Sequence, residues 1–218
     1  MPQHEDDGEP TLEGCFAPDG TDLTLIEWFL QRTPAERLQT AQSMVDLVAS
    51  AAVSTKSELF ALLRALHDHG VEFVVVGGVA AILEGVAMPT YDVAVVYQVE
   101  AANLGRLMTA LSDLDATYRD PAGRTIKPNV ERLATNRMHL LQTPASILDA
   151  MKEIAPSWKF EDLVERSHRV ELSGMNLRVL ELAAVVESKV ATDRPKDRAE
   201  LFVLRNTLEM RSRQGLST

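Results

Sequence analysis

Cysteine is nearly absent from this chain: Cys15 is the only one, so no intrachain disulfide can form and a zinc site built on cysteines is excluded. A single thiol fits a reducing compartment. Long apolar runs are missing too, and residues 1–10 are acidic and polar where a secretory signal is basic and then apolar, so the expected location is cytoplasmic, with no membrane partner. Positive charge is in deficit, with Lys+Arg 22 against Asp+Glu 32 and a formal net charge of −10. Such a surface repels a phosphate backbone, which argues against broad non-specific nucleic-acid binding. No G-x-G-x-x-G, G-x-S-x-G, Walker or metalloprotease motif occurs.

The 218 residues, 45% hydrophobic and 25% charged, suffice for one main core with a helical appendage and are too few for two full-sized enzyme domains. Residues 1–21 are rich in Asp, Glu, Gly and Pro without apolar periodicity and predict a flexible tail. A short apolar helix is predicted over 23–30. The run Thr33-Pro34-Ala35-Glu36 then supplies an N-cap, a first-turn proline and a capping-box glutamate for a helix running to about Ala52. Residues 22–55 thus read as a helical hairpin that packs on the main domain or on a partner, with the joint at Val53 to Thr55. Residues 56–214 form the main domain. Strands and helices interleave there without an internal repeat, which gives an α/β or α+β class.

Within that domain a helix over 57–69 ends at Gly70, and the run Phe73-Val74-Val75-Val76 predicts a central strand covered on both faces. Gly77-Gly78 and a short Ala-rich helix follow, then a second strand over 91–97, an amphipathic helix over 103–114, a polar turn over 120–124 and a strand over 137–142. Residues 143–152 are open between strand and helix because Pro144 breaks the pattern. Ser173-Gly174 signals a hairpin, and two helices close the chain. Arg194, Lys196 and Arg198, with Arg205, Arg211 and Arg213 behind them, form a basic cluster that reads first as a solvated helix face. His67 and His69 point in different directions along one helix, His139 and His168 lack partner spacing for a metal site, and Trp28 and Trp158 read as packing anchors.

The chemistry-bearing stretch is Val74 to Ala81 followed by Thr90-Tyr91-Asp92-Val93-Ala94. A strand that runs into two glycines brings bare backbone N–H groups beside a helix start, which suits a phosphate; the plainer reading is a tight turn with close packing. A helix, a strand ending in Gly-Gly, a short helix and a strand bearing Asp92 resemble the core signature of the nucleotidyltransferase superfamily, and in particular the AbiEii-like and related bacterial nucleotidyltransferase toxins. That pattern is Gly-Gly or Gly-Ser, about a dozen residues, and Asp-x-Asp on the next strand. The segment with Lys189 and Arg194-Pro195-Lys196-Asp197 looks like the K-x-x-x-x-R-x-K-D element of the same group.

The resemblance implies a mixed sheet flanked by helices and a transfer of a nucleoside monophosphate from a nucleoside triphosphate to an RNA (tRNA) or protein acceptor. It implies Mg²⁺ or Mn²⁺, and it brings a cognate antitoxin as a further partner; the N-terminal helices offer an oligomer contact. Carried over, Gly77, Gly78 and Thr90 would bind the nucleotide, Asp92 and Asp149 would hold the metal, Lys189 would meet a phosphate or stabilise the transition state, and Asp197 would face the substrate or orient the last helix. The chain departs from the pattern at Ala94, one β-period past Asp92, where the second motif aspartate belongs. A catalytically inactive relative that binds a nucleotide, a nucleic acid or a partner is therefore the alternative. Each residue also has a plainer role: Asp92 in a turn, Asp149 on a helix surface, Lys189 reaching out from an apolar face, Asp197 favoured by a helix dipole.

Overall fold

The computed structural model describes residues 14–49 and 58–216. The expected joint at Val53 to Thr55 and most of the expected acidic tail lie outside the described residues. Local signals set the first boundaries. Helix α1 (Leu23–Leu30) starts at Asp22, whose carboxylate accepts from the Thr24 and Leu25 N–H groups. Helix α2 (Pro34–Ala49) starts in a reciprocal capping box: the Glu36 N–H donates to Thr33 Oγ1 at 3.3 Å, and the Thr33 N–H donates to the Glu36 carboxylate at 2.8 Å. Helix α3 (Leu59–Asp68) buries Leu59, Leu62, Leu63 and Leu66 at helical spacing.

Strand β1 (Phe73–Val76) is buried along its length and passes directly into helix α4 (Gly77–Leu83), after which strand β2 (Asp92–Tyr97) begins. Helix α5 (Ala101–Asp113), strand β3 (Thr117–Tyr118), helix α6 (Val130–Thr135), and strands β4 (Met138–Gln142) and β5 (Ile147–Met151) follow. Residues 147–151, open between strand and helix from the sequence, are therefore a strand, with Pro144 in the turn before it. A ribbon of β6 (Glu153–Ile154) and β7 (Trp158–Lys159) leads to helix α7 (Phe160–Val164). Strands β8 (Ser167–Leu172) and β9 (Met175–Leu180) form the hairpin at Ser173-Gly174, where both residues have positive φ as a two-residue turn requires. Helices α8 (Leu182–Thr192) and α9 (Pro195–Arg213) complete the described chain.

Seven strands form one mixed sheet in the order β3-β4-β5-β2-β1-β9-β8. Strand β1 is antiparallel to β2 and parallel to β9, while β2 is parallel to β5. The class is the α/β (α+β) arrangement expected, a mixed sheet flanked by helices. Helices α3 and α5 pack together, and α3 also meets β2. Helix α4 lies against β1, β2 and β9 and carries α2 and α8 on its other sides. Among the described residues no helix is long and apolar enough to cross a membrane.

Two buried groups lock the end of α4. Arg37 donates to the backbone carbonyls of Phe29, Leu30 and Leu83 at 3.0, 2.8 and 2.7 Å, so one guanidinium satisfies the exposed ends of α1 and α4. Glu84, 3% exposed, meets Arg211 at 3.3 Å and His168 at 3.1 Å and accepts from the Leu182 N–H. It thereby joins α4 to α8, α9 and the β8 strand.

Arg37→Met removes three donors from buried carbonyls and should lower the unfolding free energy by roughly 2–4 kcal/mol in urea melts. The hydrogen bond to Glu84 raises the His168 pKa above its ordinary value of 6.5. Its contribution to stability is thus complete below that ordinary value and is lost as pH rises through the folded-state pKa. His69, held by the Ala65 carbonyl and Asp113, carries the same sign. The difference between the parent and His168→Gln across pH 6 to 9 isolates the Glu84 pair, and the variant should show the shallower decline.

Candidate functional site

No loop separates β1 from α4, so the chain must turn sharply at the C-terminal end of this interior strand. Gly77 does this at φ +65°, in the left-handed region, and a Cβ on it would lie 3.3 Å from the Cβ of Ala94. At Gly78 the constraint is contact: an added Cβ would stand 2.4 Å from Thr90 Oγ1 and 3.0 Å from Thr90 Cβ. Thr90 is itself buried, 5% exposed, and cannot move aside. The two glycines therefore let the bend press against the start of β2, where Asp92 sits.

Register then fixes what stands beside the bend. In the parallel pairing Asp92 is opposite Ile147 and Ala94 is opposite Asp149. Cross-strand partners share a face, and so do residues two apart on a strand. Asp92, Ala94 and Asp149 consequently project together, with Asp149 directly beside Ala94 and diagonal to Asp92. On the far side, Leu140 of β4 is opposite Asp149.

The third wall comes from α8 and α9. Asp197, fully buried in the first turn of α9, accepts from Lys189 at 3.1 Å and from Arg194 at 2.6 and 3.2 Å. Lys189 also donates to Glu200, which lies 3.7 Å from Lys196. Burial pushes the Asp197 carboxyl up, but the hydrogen bonds from Arg194 and Lys189 outweigh it and leave the group below the ordinary carboxylate value.

These walls enclose a cavity of about 580 Å³. Gly77, Gly78, Thr90, Asp92, Asp149, Lys189 and Asp197, the residues singled out in the sequence, all line it. Ala94 lines it as well. Lys189 is ion-paired within this wall, and the basic cluster is largely paired too, Arg198 with Asp193, Arg211 with Glu84 and Arg213 with Glu209.

The sequence reading missed Arg119, Arg137, Glu153 and Glu200, and the apolar side of the cavity formed by Met88, Met138, Leu140 and Met151. Arg119 pairs with Asp149, and Arg137 meets Glu153 at 2.8 Å. The signal for Arg119 was weak because it follows a strand of only two residues, and its partner is 30 positions away. Burial raises the Asp149 pKa and nearby Asp92 adds to the rise, while the Arg119 guanidinium opposes both.

Among the described residues no group of three His, Cys, Asp or Glu side chains could hold a metal ion. Mg²⁺ is often bound by one or two carboxylates together with substrate phosphates, so the number of ligands alone decides nothing. The deciding feature is the donor set. Ala94 offers no oxygen, and Oδ1 of Asp149 already carries the Arg119 guanidinium, so a cation there would compete with Arg119 for that carboxylate. The residues present do not fit a resident divalent metal.

No family model matches the chain, and no curated protein matches it. Solved structures similar to it include the lincomycin-bound lincosamide antibiotic adenylyltransferase LnuA, at 12% identity over 69% of this chain and 96% of that one, TM-score 0.49. A Thermotoga maritima protein assigned as a nucleotidyltransferase is similar at 20% identity over 70% of this chain and 93% of that one, TM-score 0.43. ANT(2")-Ia, in complex with adenylyl-2"-tobramycin, is similar at 13% identity over 70% of this chain and 94% of that one, TM-score 0.42.

Gly78→Ala forces a methyl group into Thr90 and should cost about 1–3 kcal/mol of stability by urea denaturation, as overpacking of a tight site does. Adding Thr90→Ala to that variant removes the nearest atom and should recover part of the loss.

Proposed function

We propose that this chain is a nucleotide-binding protein of the nucleotidyltransferase type in which transfer of a nucleoside monophosphate to an RNA or protein acceptor, the toxin-like activity, has lapsed at Ala94. One observation carries the reading. The diglycine bend, Asp92 and Asp149 converge on a single cavity, and the register position between the two carboxylates is filled by a methyl group.

The residues of the chain divide the work of binding. The triphosphate lies along the bend at Gly77 and Gly78, where the absent Cβ atoms allow close approach to the backbone. Thr90, whose Oγ1 stands 3.4 Å from the Asp92 carboxylate, supports that side chain from behind. Arg194, held in place by buried Asp197, offers its remaining donors from the opposite wall, where Lys189 is paired with Asp197 and Glu200. The base and sugar meet the apolar side at Met88, Met138 and Met151.

The transfer reading calls on a divalent metal to neutralise charge and activate the attacking oxygen, and Asp92 and Asp149 without a third carboxylate do not fit one. Without a carboxylate at Ala94 those functions fail, while nucleotide binding does not depend on it. The rival reading, an active transferase, differs only in the fate of the bound nucleotide.

The two separate when the purified protein and an Ala94→Asp variant are each incubated with labelled nucleoside triphosphates, Mg²⁺ or Mn²⁺, and total tRNA. The parent should retain nucleotide yet label no acceptor, and the variant should label one. A parent that labels as well as the variant does is an active enzyme. If neither binds nucleotide, the functional reading is wrong.

A further inference from the structure

The register of the sheet lines up a row of residues on the cavity face: Val76 on β1, Ala94 on β2, Asp149 on β5 and Leu140 on β4. The row ends at Arg119. Its backbone N–H donates to the Leu140 carbonyl at 3.0 Å, which extends the pairing of β3 with β4 and fixes where the side chain starts. From there the guanidinium crosses toward the sheet centre and donates through Nη2 to Asp149. Asp120 and Arg124 clasp the turn immediately after it, at 2.9 and 2.8 Å. Arg119 is therefore aimed by its backbone and not merely drawn to a nearby charge.

A polyphosphate entering this cavity meets the negative charge of Asp92 and Asp149, and something positive must stand between them. In a metal-dependent site that is the cation. Here a positive group already occupies the Asp149 carboxylate. Of the five N–H donors in the Arg119 fork, only Nη2 has a hydrogen-bond partner among the described residues, so further donors remain for phosphate oxygens.

Accepting the nucleotide-binding reading given above, we propose that Arg119 takes the place of the divalent ion, so that the cavity binds the polyphosphate of a nucleoside triphosphate on its guanidinium without a metal. Asp149 is then the counter-ion that holds Arg119 until phosphate arrives, and it competes with the ligand for the same fork. This reverses the expected role of that carboxylate. In a metal site Asp149 helps binding; here it opposes binding.

The experiment is a titration of the full chain with ATP by calorimetry, in excess EDTA and again in millimolar Mg²⁺, with inorganic tripolyphosphate as a second probe. ATP should bind in EDTA within about threefold of its affinity in Mg²⁺, and tripolyphosphate should compete. Arg119→Gln should weaken binding in EDTA by about tenfold or more, as loss of a charge-assisted phosphate contact does. Arg119→Lys, which keeps the charge and loses the fork, should fall between. Asp149→Asn should tighten binding in EDTA by a few-fold, with thermal melts confirming that each variant is folded.

Binding that requires Mg²⁺, or an Asp149→Asn variant that binds more weakly while Arg119→Gln is unchanged, overturns the proposal and leaves the nucleotide site standing. Absence of ATP binding with and without Mg²⁺ overturns the functional reading itself, and this proposal with it.

Discussion

The direct passage of β1 into α4 constrains everything around it. A chain that turns at the end of an interior strand without a loop needs a residue at φ +65° and room for the backbone to approach its neighbours, and Gly77 and Gly78 supply these in turn. The bend presses on Ala94 and Thr90, which sets the height of β2 against β1. Strand β2 in turn sets β5 through a parallel register of five residue pairs. Asp149 is thereby placed beside Ala94 by backbone hydrogen bonds, before any side-chain interaction is considered. The cavity is the space left over this face once α8 and α9 close across it.

Much of this was legible in the residues. The capping box at Thr33 and Glu36, the uniformly apolar β1, the positive-φ hairpin at Ser173-Gly174 and the diglycine bend all carry local signals, and local signals survive in a single sequence. Elements β3, α6, β6 and β7 left little trace because each spans only two to six residues, too few for a period to show. Asp149 was singled out through the family resemblance, yet whether it lay on a strand depended on pairing with β2 and β4. Arg119 escaped for the same reason. Its role arises from a register three strands wide, and register is a long-range property that no window of sequence contains.

The polar groups of the fold divide into two kinds of work. Arg37 and Glu84 are buried and satisfy one another's surroundings across α1, α2, α4, α8 and α9, so they tie the N-terminal helices to the wall behind the cavity. Lys189, Asp197, Arg194 and Glu200 do the equivalent on the wall in front, where each charge answers another. Paired charges of this kind hold positions at modest net energy, because desolvation offsets most of the attraction. Their effect is to fix the positions of Lys189 and Arg194 on the cavity wall.

The Cβ of Ala94 faces Gly77 and lines the cavity, and a Cβ on Gly77 would stand only 3.3 Å from it. Any side chain longer than a methyl at position 94 would therefore have to extend into the cavity beside Asp149, so this one position sets how much of the space in front of the bend stays open.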